Sequence, residues 1–200
     1  MSSGKYTKND NRSENWKQSI LLCLKDLISM LSGIVIVFLL LFRFVVVSGD
    51  SMYSTLLDGD YLLLLSNIFY QEPEHGDIVV ISKKAFDDGK PIVKRVIATE
   101  GQTVDIDFEN AVVMVDGVAL DEPYINSPTS FNEGTIFPLT VAEDCIFVLG
   151  DNRGVSRDSR DPVIGQIDNR EVLGKAIFLL VPGTSHGQRP MDFSRIGVIQ

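Results

Sequence analysis

The hydrophobic pattern divides the chain into a polar N-terminal segment, one long apolar run and a series of short apolar stretches. The run covers residues 27–47 and is interrupted only by Ser29, Ser32, Gly33 and Arg43. As an α-helix, these 21 residues would extend about 31 Å, close to the thickness of the hydrocarbon core of a bilayer. The pattern therefore predicts a transmembrane anchor over residues 27–47.

Basic residues before the anchor predict its orientation. Five of them precede the apolar run: Lys5, Lys8, Arg12, Lys17 and Lys25. By the positive-inside rule, residues 1–26 form a cytoplasmic segment and residues 48–200 an extracytoplasmic domain, which makes the chain a single-pass protein of the cell membrane. A cleavable secretory signal is the alternative. The long basic segment, the length of the apolar run and the lack of a clear small-x-small site in "VVVSGDSM" favour the anchor.

Short apolar stretches separated by turn residues follow Ser48. They are rich in Val, Ile, Leu and Phe and bounded by Gly, Asp, Asn and Pro, which is typical of β-strands. The stretches are "DYLLLLSNIFY", "GDIVVIS", "PIVKRVIAT", "QTVDIDF", "AVVMVDGVAL", "CIFVLG" and "KAIFLLV". The pair Asp116-Gly117 predicts a hairpin turn. The predicted fold class is therefore mainly β, an antiparallel β-domain behind one N-terminal transmembrane helix.

Composition and charge exclude several kinds of partner. The net charge is −9, and Lys and Arg form no cluster of the kind that binds nucleic-acid phosphates. Cys23 and Cys145 lie far apart in the sequence and are poor candidates for a disulfide. No CxxC or Cys/His spacing suggests a metal site. We therefore expect no nucleic acid, no metal and no cofactor, and expect the lipid bilayer as a partner of the apolar run.

A candidate nucleophile lies directly after the apolar run, at Ser51 in "GDSMYSTL". A serine nucleophile needs a base, but His75 and His186 both lie in loop contexts typical of exposed residues. Lys94 lies inside the apolar stretch "PIVKRVIAT", where burial can lower a lysine pKa by about 3 to 5 pH units. Because side chains alternate along a strand, Lys94 can be buried while Arg95 remains in water. An exposed lysine on an edge strand is the alternative.

Four sequence blocks resemble the conserved boxes of bacterial type I signal peptidases. They are "SGDSMYSTL" for the nucleophile, "HGDIVV" for the strand that follows, "VKRVI" for the base and "GDNRGVSRDSRDPVIGQI" near the C-terminus. The blocks occur in the family order, and the resemblance extends to the terminal "FSRIGVI". It implies an antiparallel β-domain of the signal-peptidase type, and an enzyme that cuts signal peptides of exported preproteins after small residues at positions −1 and −3.

The resemblance also implies roles for individual residues. Ser51 would attack the scissile carbonyl and Lys94 would take its proton. The Ser156 hydroxyl would hydrogen-bond and orient the lysine ammonium, while Asp158 and Arg160 would form an ion pair that holds the loop against the core. In the same block, Asp151 and Asn152 would be framework residues, whereas Arg153 and Arg157 are expected to be solvated.

Departures from the family pattern concern the residues around the nucleophile. Gram-negative relatives carry a serine two places before the nucleophile that helps to form the oxyanion hole. Here Gly49 takes that place, and Ser48 lies one residue further back, which resembles the Gram-positive branch. The Ser51 N–H is then the safest oxyanion donor, with Ser48 and Gly49 as supporting residues. Ser54 stands where the family usually has proline, which loosens the turn.

The residues also set the expected mode of substrate binding. The segments "FRFVVV" and "PIVK" are expected to be apolar strands that lead into Ser51 and Lys94, and the family implies that an extended substrate adds between them by backbone pairing. Three alternatives remain open. The self-cleaving SOS-response repressors share a Ser–Lys β-domain but carry a DNA-binding module. A membrane-tethered assembly factor for surface proteins or pili would need no dyad, and a serine hydrolase of another class would need a different pocket.

Overall fold

The computed structural model describes residues 7–188 and 190–199, and the chain divides into two compact units, residues 1–40 and 41–200. The first unit consists of helix α1, Thr7–Leu41. The part of this helix from Trp16 to Leu41 is strongly apolar. Its most apolar stretch of 18 residues has a mean hydropathy of 2.2, and no side chain of that stretch is buried. By length and composition, this is the one helix among the described residues that could cross a membrane. Lys5 lies outside the described residues.

The helix and the expected anchor have different boundaries. Helix α1 begins well before residue 27 and ends at Leu41. The segment Phe42–Val46 is a strand, β1, whose residues pair with Leu65 to Tyr61 of the next strand. Hydropathy does not separate these residues from the helix, because "FRFVV" is as apolar as the helix before it. Its aromatic and β-branched residues nevertheless favour an extended backbone.

The second unit contains two antiparallel sheets. Its remaining strands are β2 Tyr61–Ser66, β3 Ile78–Ile81, β4 Ile92–Thr99, β5 Thr103–Asp107, β6 Val112–Val115, β7 Val118–Ala119, β8 Leu139–Thr140, β9 Cys145–Leu149, β10 Ile167–Asp168, β11 Val172–Val181 and β12 Gly197–Val198. The larger sheet has the order β1-β2-β11-β3-β4-β9-β10, with β12 also paired to β11. The smaller sheet has the order β7-β6-β5-β8.

Three clusters of buried apolar side chains form the core. The first lies under β1, β2 and β11 and includes Met52 and Leu56, which follow Ser51 in the sequence. The second joins the smaller sheet to β4 and β9, and the third packs on the other face of β3, β4 and β9. Alternation along β2 directs Leu62 and Leu64 into the first cluster, as the pattern of a half-buried strand requires. The loop of residues 47–60, which carries Ser51 and is called the nucleophile loop below, is therefore fixed to the core by its own apolar residues.

The predicted fold class is confirmed: the structure is mainly antiparallel β behind one N-terminal apolar helix. The Asp116-Gly117 turn joins β6 to β7, and both residues have a positive φ, 51° and 78°, as a type I′ turn requires. The expected strand "FRFVVV" is present as β1. The sequence did not predict β8, β10 or β12, which have only two residues each, too few for a hydrophobic period to appear.

Candidate active site

Ser51 lies in a loop that connects β1 to β2 and is held from two sides. Met52, the next residue, is buried in the core. On the other side, the Asn152 N–H donates to the Ser51 carbonyl at 3.0 Å, and the Asn152 side-chain amide donates to the Asp50 carbonyl at 3.0 Å. The backbone on both sides of the candidate nucleophile is thus hydrogen-bonded to the turn that follows β9.

Lys94 lies on β4, opposite Val79 of β3, and is only 2% exposed. Its Nζ donates to Ser51 Oγ at 2.9 Å and to the Val93 carbonyl at 3.1 Å. Burial lowers the pKa of Lys94 to about 8, against the opposing effect of the Asp158, Asp151 and Glu133 carboxylates. A lysine with this pKa is neutral in a substantial fraction of molecules near pH 8, and only a neutral lysine can accept a proton.

Arg95 was expected to remain in water, and this prediction was wrong. Its side chain is buried, and its guanidinium donates to both oxygens of Asp151, at 2.9 and 2.8 Å. It also lies 4.0 Å from the centre of the Tyr124 ring. Alternation does place Arg95 on the face opposite Lys94, but a segment far away in sequence covers that face. Pairing with a carboxylate and stacking on an aromatic ring make the burial of the guanidinium tolerable.

Asp158 and Arg160 form a fully buried ion pair, as the resemblance implied. Arg160 Nε donates to Asp158 Oδ1 at 2.8 Å, and Nη2 donates to Oδ2 at 2.9 Å. Asp158 also accepts the Gly150 N–H at 3.0 Å. Arg160 Nη2 lies 3.1 Å from Glu133 Oε1, so the buried cation contacts two carboxylates. Glu133 was not predicted as a site residue, because it lies outside the four blocks.

Ser156 is buried beside this ion pair, but it does not make the hydrogen bond to Lys94 that the resemblance implied. Its Oγ has no hydrogen-bond partner among the described residues, and the Lys94 ammonium donates to Ser51 and Val93 instead. A Cβ on Gly150 would lie 2.2 Å from Ser156 Oγ and 2.6 Å from the Ser51 carbonyl oxygen. Only glycine therefore fits at position 150.

Arg153 was expected to be solvated, and this prediction was also wrong. It is 1% exposed. Its guanidinium pairs with Glu122 and Thr129, and Nε donates to the Gly150 carbonyl at 3.0 Å. Local sequence gave no sign of the pairing with Glu122, which lies 31 residues away. Arg157 is exposed and pairs with Asp161, as expected for a solvated residue.

Ser48 and Gly49 lie immediately before the nucleophile. Ser48 is exposed and lines the same cavity as Ser51. Gly49 has a φ of 89°, a conformation that favours glycine, and its N–H donates to Asp58 Oδ1 at 2.8 Å. The Gly49 N–H is therefore engaged within the loop, and its observed contact fixes the loop rather than an oxyanion.

The two histidines lie apart from the Ser51 hydroxyl. His75 is exposed, and its Nδ1 lies 2.8 Å from the Ile97 carbonyl. His186 is exposed and contacts the carboxylates of Asp58 and Asp50 at 3.2 and 3.3 Å. Neither hydrogen-bonds to Ser51 Oγ within the described part of the chain. Cys23 and Cys145 are both free thiols.

A groove of about 480 Å³ leads to Ser51 and Lys94. Its walls are residues 44–48 on one side and residues 90–94 on the other. β1 is the terminal strand of its sheet, and the first residues of β4 pair with β3 on one side only, because pairing with β9 starts at Arg95. Within the described residues, the edge strand β1 and the start of β4 therefore border this groove, and an extended peptide could add to them.

In this antiparallel β-domain, a serine hydroxyl against a buried lysine pairs a candidate nucleophile with a candidate base. The model of the family described as "Signal peptidase, peptidase S26" matches residues 20–181. Since this is most of the chain, the chain belongs to the signal peptidase family.

Several named proteins are similar to this chain. A "Probable signal peptidase I-1" from Synechocystis sp. is 35% identical over 167 residues, covering 78% of this chain and 82% of that protein. Signal peptidase I from Bacillus licheniformis is 32% identical over 183 residues, covering 86% and 95%. Signal peptidase IB from Staphylococcus aureus is 32% identical over 182 residues, covering 79% and 91%. A crystal structure of a signal peptidase I from Enterococcus faecalis is 30% identical, covers 52% of this chain and 96% of its own, and has a TM-score of 0.42.

Proposed function

We propose that this chain is a membrane-anchored serine endopeptidase that removes N-terminal signal peptides from exported preproteins. Ser51 is the nucleophile and Lys94 is the general base. The observation that carries the proposal is the contact of 2.9 Å between Lys94 Nζ and Ser51 Oγ. The side chain of Lys94 is almost completely buried at this contact. Membership in the signal peptidase family supports the substrate class.

The chemistry follows from this pair. Neutral Lys94 takes the hydroxyl proton while Ser51 Oγ attacks the carbonyl carbon of the scissile peptide, and the Ser51 N–H donates to the oxyanion. The tetrahedral intermediate collapses as protonated Lys94 gives its proton to the leaving amine. Lys94 again takes a proton, now from the water that attacks the resulting ester on Ser51, and gives it to Ser51 Oγ as the new carboxyl end of the cleaved segment leaves. The enzyme returns to its initial state with no net change in protonation.

Substrate binding uses the groove between β1 and the start of β4. An extended segment before the scissile bond pairs with β1 and the start of β4, and the alternating side chains of that segment point into the groove. The lining close to Ser51 is apolar, from Val47 and Val93. Small side chains at positions −1 and −3 of the preprotein fit such shallow apolar sites.

The assembly-factor alternative is not favoured. The relatives reported above carry the name signal peptidase, and a buried lysine that contacts a loop serine has no evident use in a protein without catalysis. A buried amine is costly to keep, and the loop could be held equally well by its apolar residues.

The test is cleavage of a synthetic preprotein by the purified full chain in detergent, with the cut mapped by mass spectrometry. We expect one cut after the residue at position −1, and loss of at least about five powers of ten in rate in Ser51→Ala, because no acyl-enzyme can form. Ser54→Ala is the matched control, since Ser54 is an exposed serine of the same loop. Cleavage by Ser51→Ala at the parent rate would disprove the mechanism.

A further inference from the structure

Asp60, at the end of the nucleophile loop, is a fully buried carboxylate. It is 0% exposed. Its Oδ2 accepts the Leu57 N–H at 2.8 Å, and its Oδ1 accepts the Gly183 N–H at 2.6 Å. A Cβ on Gly183 would lie 2.2 Å from the Asp58 carbonyl oxygen, so position 183 must be glycine for this close approach. Two backbone donors do not neutralise a buried carboxylate, which also needs a cation.

Arg195 supplies that cation from the C-terminal segment. Its Nη1 donates to Asp60 Oδ1 at 2.9 Å, and its Nη2 donates to Oδ2 at 2.7 Å. These are the two parallel bonds that only a guanidinium can make to a carboxylate. Nη2 also donates to the Thr55 carbonyl at 3.2 Å. One arginine therefore contacts the nucleophile loop at two points.

The C-terminal segment is held in place by its own contacts. Gly197 and Val198 form β12, which pairs with Leu179 and Phe178 of β11. Ile199 packs against the first core cluster. Arg195 lies beyond residue 181, where the match to the family model ends. Its position is thus set by strand pairing at a distance from the four motif blocks.

Thr55 links Arg195 to the opposite side of the loop. The Thr55 hydroxyl donates to Asp151 Oδ2 at 2.5 Å, and Asp151 is paired with buried Arg95. The next residue, Asn152, binds the carbonyls of Asp50 and Ser51. The loop between β1 and β2 is therefore held at its start by the turn after β9 and at its end by the C-terminal segment.

We propose that Arg195 is a positioning residue for Ser51, which acts through Asp60 and the Thr55 carbonyl to keep the nucleophile loop in its reactive place against Lys94. This inference rests on the proposed peptidase function. Arg195 does not touch the groove, whose lining comes from residues 44–48, 51, 87 and 90–94. It should therefore affect the chemical step and leave substrate binding largely unchanged.

The experiment measures kcat and KM for preprotein cleavage by the full chain and its Arg195→Ala and Arg195→Lys variants. Misplacement of a reacting group by about 1 Å can cost a hundredfold in rate, so we expect kcat of Arg195→Ala to fall between about tenfold and a hundredfold. We expect KM of both variants to stay within about threefold of the parent, and kcat to fall less in Arg195→Lys. Adding guanidinium at a concentration of about tens of millimolar should partly restore the kcat of Arg195→Ala.

The matched control is Arg170→Ala, which breaks an Arg–Asp pair of the same kind with Asp168 on an exposed surface and should keep the parent kcat.

Folding is measured on every variant by circular dichroism and thermal unfolding, and kcat is normalised to the folded fraction. If Arg195→Ala does not fold, Arg195→Lys decides, because it keeps the charge. Parent-level kcat in the folded variants would overturn the inference. So would a decrease in kcat that disappears after normalisation, or an increase in KM with kcat unchanged. Failure of the unmodified chain to cleave the preprotein would instead contradict the proposed function itself, so the two failures are distinguishable.

Discussion

The Nζ atom of Lys94 is subject to opposing electrostatic effects. Burial favours the neutral amine and has the largest effect on its pKa, while the carboxylates of Asp158, Asp151 and Glu133 favour the ammonium. Arg160 disfavours the ammonium. The resulting pKa of about 8 leaves the base partly neutral at mildly alkaline pH and still basic enough to take a proton from a hydroxyl. A cluster of charges outside the lining of the groove therefore adjusts the pKa of Lys94, the proposed base.

Glu133→Gln tests this electrostatic account. The substitution removes one negative charge near Lys94 and keeps the shape of the side chain, so the pKa of Lys94 should decrease. The acid limb of the pH profile of kcat/KM should then move to lower pH. Glu143→Gln is the control, since Glu143 is exposed and is not among the groups that shift the Lys94 pKa. An acid limb at the parent pH in Glu133→Gln would remove Glu133 from the electrostatics of the site.

The turn after β9 joins the loop that carries Ser51 to the Asp158–Arg160 ion pair. Gly150 begins this turn and donates to Asp158, while Asn152 binds the Ser51 carbonyl. At Gly150 the backbones approach so closely that a side chain cannot be accommodated. Small changes in this turn should therefore be transmitted to Ser51 directly.

Gly150→Ala is the prediction at this scale. The new methyl group would lie within 2.6 Å of both the Ser51 carbonyl oxygen and Ser156, so the two segments must move apart. We expect kcat/KM to fall by at least about tenfold and the melting temperature to decrease by several degrees, about the effect of 1 to 2 kcal/mol of strain. Gly197→Ala should do neither, because a Cβ there meets no atom within 4 Å. Parent-like activity of Gly150→Ala would show that the turn does not constrain the nucleophile.

The elements that the sequence predicted are those with a local signal. The long apolar helix, the strands of four or more residues after it and the Asp116-Gly117 turn each follow from neighbouring residues alone. Lys94 could be proposed as a base because its own strand is apolar. The segment "FRFVVV" was predicted both as a strand and as the end of the anchor, because hydropathy does not mark the end of the helix at Leu41.

The residues that the sequence did not predict are those whose environment comes from distant segments. Arg153 is buried by Glu122, and Arg195 pairs with Asp60 across 135 positions. Arg95 faces away from Lys94 as alternation requires, yet Asp151 and Tyr124 cover it. A charged residue in a polar stretch is expected to be solvated unless its partner is known, and the partner is fixed only by the folded topology.

At the scale of the whole molecule, a short stretch of chain separates the apolar helix from Ser51. The apolar part of α1 ends at Leu41, and Ser51 follows after one short strand and a turn. In the proposed function, the β-domain therefore directly follows the membrane anchor along the chain. The proposed orientation keeps the basic residues before the helix in the cytoplasm.

Protease treatment of intact spheroplasts of an expressing bacterial host tests this orientation. With one epitope tag at each end, we expect added protease to remove the C-terminal tag and the β-domain while the N-terminal tag remains protected. Permeabilised cells provide the control, because both tags should then be lost. Protection of the C-terminal tag in intact spheroplasts would reverse the orientation, and the substrate class would no longer fit.

The pH profile of kcat/KM for the unmodified chain tests the pairing of Ser51 with Lys94 most directly. The substrate should have no group that titrates between pH 6 and 10. Because only neutral Lys94 can accept the serine proton, the rate should rise about tenfold per pH unit below an apparent pKa of about 8 and level off above it. The rate at pH 6 should then be about a hundredfold below the plateau. A profile that is flat across this range, or a limb near pH 6.5 where an ordinary histidine titrates, would contradict Lys94 as the base.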